Sequence, residues 1–117
     1  MDVGMEYEIL MLQLGSLARK LFNAEENLSK YQEALEKAIA NLEKENRDLE
    51  RLRNDSFSNT LLKLFGNFDR RYDKEYREII GAKVEFDKAY AMKIAAARRV
   101  KEVEADIEEK KLRLRNI

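Results

Sequence analysis

The side chains able to do chemistry in this chain are almost all carboxylates and cations. Asp plus Glu number 23, Lys plus Arg number 23, and there is no His and no Cys. Carboxylates stand side by side at Glu25–Glu26 and Glu108–Glu109. Acid–base catalysis needs a carboxyl whose pKa is moved toward neutrality, which takes desolvation beside it. Adjacent acids on the charged face of a helix stay hydrated, so these pairs point to solvent. Lack of His removes Ser-His-Asp triads, the Glu-x-x-His pairs of di-iron bundles and the His-Glu-x-x-His of zinc proteases. Lack of Cys removes disulfides, thiolate nucleophiles and Cys-ligated metals. The four glycines, at positions 4, 15, 66 and 81, are too scattered for a phosphate loop. The expectation is a non-enzymatic protein with no catalytic residue, no metal ligand set and no cofactor.

The cations concentrate in Arg98, Arg99 and Lys101, and in Lys110, Lys111, Arg113 and Arg115. Nucleic acid needs a continuous basic face. Glu102, Glu104, Asp106, Glu108 and Glu109 interrupt this one, which reads as a solvated helix surface. Acids placed four residues before bases say the same: Glu26 with Lys30, Glu33 with Lys37, Glu43 with Arg47, Asp106 with Lys110, and Glu109 with Arg113. Each such pair contributes about 0.3 kcal/mol to a helix.

The elements that carry these charges are helical. The chain has 117 residues, no Pro, 39% charged and 44% hydrophobic residues, a composition suited to long helices and coiled coils. In the first half, apolar residues recur at alternating steps of three and four. One set of positions is Tyr7, Leu14, Leu21, Leu28, Leu35, Leu42 and Leu49; the other is Leu10, Leu17, Ala24, Tyr31, Ala38, Glu45 and Leu52. Only Glu45 among them is neither apolar nor aromatic. A period of 3.5 sustained over seven heptads keeps one seam against a partner helix.

The second half is helical with a broader stripe: Tyr72, Tyr76, Ile79, Lys83, Phe86, Tyr90, Ile94, Ala97, Val100, Val103, Ile107 and Leu114. The two consecutive steps of four from Phe86 through Tyr90 to Ile94 predict a stutter. Between the halves, Asn54–Phe68 is rich in Ser, Asn and Asp, with a short helix expected at Thr60–Phe65, ended by Gly66 and Asn67. The predicted fold is all-α: one domain over 1–117, a long antiparallel two-helix coiled-coil hairpin with arms at about 5–53 and 69–116 and a short helical connection at 54–68. Folding about that connection sets positions summing to about 124 opposite each other, among them Leu10 with Leu114, Leu17 with Ile107, Ala24 with Val100, Leu28 with Ala97, Leu35 with Tyr90 and Ala38 with Phe86. Glu45 and Lys83 then fall in adjacent layers and are expected to form a register-fixing salt bridge.

Two apolar surpluses are left over. Phe57, Leu61, Leu62, Leu64, Phe65 and Phe68 crowd the connection. They either cap the last layer of the hairpin or form a tip that grips a partner. Ile9, Met11, Leu12 and Phe22 on the first arm, and Ile80, Val84 and Met92 on the second, lie off the seam. Two helices bury one narrow stripe each, and a wider stripe calls for another neighbour. A homodimer with a four-helix core is the leading expectation, and a different helical protein its main competitor.

The stretch from Ser56 to Tyr90 resembles small coiled-coil hairpin proteins of Gram-positive bacteria. The residues that carry this are S-F-S-N-T-L-L-K-L-F-G from Ser56 to Gly66, K-E-Y at Lys74–Tyr76, and A-K-V-E-F-D-K-A at Ala82–Ala89. The resemblance implies the hairpin and lends no activity. The N-terminus opens with acidic rather than basic residues and no apolar run approaches the length of a membrane span, so a cytoplasmic location is expected. The functional expectation is a protein–protein interaction or structural module. The alternative is a nucleic-acid or membrane-surface binder using the basic second arm or the apolar tip, partners that the interrupted charge pattern does not favour.

Overall fold

The computed structural model describes residues 2–54 and 68–117. They form two helices, α1 at Val3–Asn54 and α2 at Phe68–Arg115, in an all-α helical hairpin. Asp2 starts α1 two residues ahead of the first expected turn. Its Oδ1 accepts a hydrogen bond from the Gly4 N–H at 3.3 Å, and its carbonyl accepts from the Glu6 N–H at 3.0 Å. This is N-cap geometry, with Glu6 adding an acid to the positive end of the helix dipole. At the other end, the Asn116 N–H is shared between the Leu112 and Arg113 carbonyls, both at 3.2 Å. The last turn thus tightens as α2 stops, with Arg113 and Arg115 placed against the negative end of its dipole.

The chain divides into two compact units. The first combines Met1–Gln32 with Met92–Ile117; the second is Glu33–Ala91. In the first unit, Leu10, Leu17 and Ala24 are buried on α1, and Val100 and Val103 on α2. Leu10 keeps 1% of its surface and Val103 2%. In the second unit the buried apolar residue is Ala82, flanked by half-buried Leu35, Ala38, Leu42, Ile79, Phe86 and Ala89.

Along α1 the burial follows the heptads as read from sequence: every described position of the two sets is buried or half-buried except Tyr7. Leu49 and Leu52 lie where side chains are outside the described set. Along α2 the structure corrects the reading. Its buried and half-buried positions include Glu75, Ile79, Ala82, Phe86, Ala89, Lys93, Ala96, Val100, Val103, Ile107, Lys110 and Leu114. These follow each other by four and three without a break, so there is no stutter. Ala89 takes the seam position expected for Tyr90, which is 50% exposed, and Ile94 also faces outward. The seam of α2 mixes large apolar residues (Ile79, Phe86, Val100, Val103, Ile107 and Leu114) with Ala82, Ala89 and Ala96 and with two lysines lying along it, while Ile80, Val84, Tyr90 and Ile94 sit beside it.

Cross-helix neighbours in the second unit include Glu45 beside Glu78 and Asp48 beside Glu75, both pairs summing to 123 against the expected fold-back sum of about 124.

Candidate functional site

The expected self-association residues are on the surface. In the first unit, Leu12 is 75% and Phe22 62% exposed, and Ile9, Met11 and Met92 are exposed with them. In the second, Ile80 and Val84 are each 58% exposed, and Tyr76 and Ile39 also face out. Tyr76, Ile80 and Val84 follow at steps of four and fall on one face of α2, away from the seam that holds Ala82 and Phe86. The small residues are part of this arrangement. With Ala82 at the seam beside them, Ile80 and Val84 are left without cover.

A groove of about 330 Å³ runs along the first unit, lined by Ala24, Asn27 and Tyr31 of α1 and by Met92, Ala95, Ala96 and Arg99 of α2. Three of its lining residues are alanines, and it carries one amide and one guanidinium. It has room for apolar side chains from a partner helix and holds no constellation for chemistry.

Several cations of α2 are neutralised locally. Arg99 pairs with Glu102 at 3.7 Å, Lys111 with Glu108 at 3.8 Å and Arg113 with Glu109 at 3.8 Å. Lys110 reaches both Asp106 at 3.3 Å and Glu109 at 3.5 Å. Its ammonium folds back from a half-buried seam position, which lets the aliphatic stem pack while the charge stays paired. Two of the five expected acid-before-base pairs form, Asp106 with Lys110 and Glu109 with Arg113. Those expected on α1, Glu26–Lys30, Glu33–Lys37 and Glu43–Arg47, do not come within ion-pair distance.

The expected Glu45–Lys83 bridge is not formed. Lys83 Nζ lies 2.8 Å from Asp87 Oδ1 on its own helix and 4.9 Å from the centre of the Phe86 ring. The reason is the seam correction: Ala82 holds the inward position, and the next residue along a helix is rotated by about 100° to the outside. Phe86 in turn stacks on Tyr90 with ring centroids 6.1 Å apart.

What Glu45 meets instead is acid. One carboxylate oxygen from each of Glu45, Asp48 and Glu75 lies within 4.8 Å of the other two. Glu45 retains 9% of its surface, and its Oε2 and that of Glu75 are shut away from solvent with no hydrogen-bond partner. Burial pushes the Glu45 carboxyl above its ordinary value of 4.5. The Glu78 carboxylate beside it adds to this as hydrogen-bond partner and like charge, Asp48 adds a smaller share, and Lys44 opposes it. Glu78 itself is held at the rim by Lys74 at 3.7 Å. The members of this group are not neighbours in the chain, so no single stretch of sequence displays it. The signal was present: Glu45 with Asp48 and Glu75 with Glu78 are both three-residue spacings, and both cross-helix pairs sum to 123.

Phe57, Leu61, Leu62, Leu64 and Phe65 of the apolar connection lie outside the described residues, as does the short helix expected there. Phe68 begins α2, with its side chain outside the described set. Among the described residues, no helix is long and apolar enough to cross a membrane. No protein-family model, curated protein or solved structure matches the chain.

Proposed function

We propose that this chain is a non-enzymatic interaction module, a coiled-coil hairpin that pairs with a second copy of itself to complete a four-helix core. The observation that carries the reading is the row of large aliphatic side chains left bare beside a fully formed seam, Ile80 and Val84 above all. Symmetry supports a second copy as the occupant, because a two-fold interface sets the same patch of both chains against itself, and Ile80 and Val84 then supply both sides of the contact. Charge does not oppose pairing, because acids and bases balance at 23 each.

The test is sedimentation equilibrium on the wild-type chain and on an Ile80→Lys/Val84→Lys variant, with circular dichroism to confirm that both remain helical. The reading expects a dimer from the wild type and a helical monomer from the variant. A wild-type monomer, or a variant dimer of unchanged affinity, contradicts it. The basic arm favours no competing reading, since Glu102, Glu104, Asp106, Glu108 and Glu109 interrupt its cations and four of them, Arg99, Lys110, Lys111 and Arg113, pair with acids on the same helix.

A further inference from the structure

We infer that Glu45, Asp48 and Glu75 form a binding site for a hard divalent cation of calcium's size, bridging α1 and α2. Acidic side chains in a group are common on helices and by themselves mean nothing. Here a second observation separates this group from a solvated face. Glu45 is more than nine-tenths buried, occupies a seam position where every other described member of its set is apolar or aromatic, and aims an unpartnered oxygen at two other carboxylates. The matching oxygen of Glu75, from the opposite helix, is also buried without a partner. Each helix thus brings one buried carboxylate oxygen without a partner to the same group, an arrangement that a cation would satisfy.

The chemistry of the donors sets the class of ion. All three are carboxylates, with no imidazole or thiolate, which selects hard cations over zinc or copper. Coordination habit sets the size. Calcium takes six to eight oxygens at about 2.3–2.6 Å in flexible geometry, whereas magnesium demands a near-ideal octahedron and keeps several waters rather than enter a cage of side chains. The three oxygens lie within 4.8 Å of one another, a spread compatible with calcium. Glu78 is placed to serve as a further ligand on releasing Lys74, and water would complete the shell. Since Glu45 and Asp48 come from α1 and Glu75 from α2, the ion would tie the two helices of this unit together at a layer that otherwise lacks an apolar contact from Glu45.

Calorimetric titration of the EDTA-stripped full chain at neutral pH tests this, using calcium chloride, magnesium chloride and manganese chloride in turn. The expected result is one saturable calcium site per chain with a dissociation constant between about 1 µM and 1 mM, and magnesium binding at least tenfold weaker. Saturating calcium should raise the melting temperature of the wild type. A Glu45→Gln/Glu75→Gln variant, nearly isosteric and checked for helicity, should lose both the binding and the thermal shift. A Glu25→Gln/Glu26→Gln variant, altered only on an exposed face, should keep them. No saturable binding of calcium, magnesium binding as tight as calcium, or a calcium titration unchanged in the Glu45→Gln/Glu75→Gln variant would each overturn the assignment.

Discussion

Lys83 Nζ sits 2.8 Å from Asp87 Oδ1 on its own helix, and Glu45, the acid it was positioned to meet, is left facing Glu78, Glu75 and Asp48. The consequence is a buried carboxyl whose neighbours on both helices favour its neutral form. Glu45→Gln keeps the shape, removes the charge and supplies a donor. In the absence of divalent cations it should raise the melting temperature at pH 7 by several degrees, as read by circular dichroism, because a buried group is then paired rather than stranded.

The same group gives the chain a pH signature with a definite sign. The folded-state pKa of Glu45 lies above its ordinary value of 4.5, raised chiefly by burial and then by Glu78 and Asp48. The folded protein therefore holds the proton more tightly than the unfolded chain does. Its contribution to stability is fully present below 4.5 and is lost as pH rises through the raised folded value. Melting temperatures of wild type and Glu45→Gln, compared without divalent ions, should differ least near pH 4.5 and diverge as pH increases. A gap that narrows with rising pH would show that the sign is wrong.

Leu10 and Leu12 are two residues apart and should behave as different kinds of leucine. Leu10 is 1% exposed and sits in the seam, so Leu10→Ala should cost about 2–5 kcal/mol in urea denaturation. Leu12 is 75% exposed, and Leu12→Ala should change the stability of the monomer by less than about 0.5 kcal/mol. Its effect belongs instead to self-association, where it should lower affinity.

Gly15 and Gly81 are interior to helices, and a Cβ added at either meets nothing within 4 Å. Replacing either by Ala should stabilise the helix by about 0.5–1 kcal/mol in urea denaturation, through the reduced backbone freedom of the unfolded chain.

The legibility of the sequence differed between the two helices for a physical reason. In α1 the seam is built from leucines, so its period can be read from large apolar residues alone, and the buried set from Leu10 to Glu45 follows directly. In α2 the seam holds Ala82, Ala89 and Ala96 with Lys93 and Lys110, while Tyr90, Ile94, Ile80 and Val84 lie off it. Following the large residues therefore finds the seam at Ile79, Phe86, Val100, Val103, Ile107 and Leu114 but leaves it at Lys83, Tyr90 and Ile94, which is the stutter that the helix does not have. The one-residue error at Lys83 came from the same source. The acidic group was hidden for a different reason. Its contacts are between helices, and they emerge only when the three-residue spacing of Glu45 and Asp48 is laid against that of Glu75 and Glu78.

Coverage of the bare aliphatic face by a second copy of the chain is read from light scattering coupled to size exclusion, run across a hundredfold range of concentration. The expected mass is twice 13.8 kDa, falling toward 13.8 kDa only on dilution. A mass of 13.8 kDa at every concentration would contradict it.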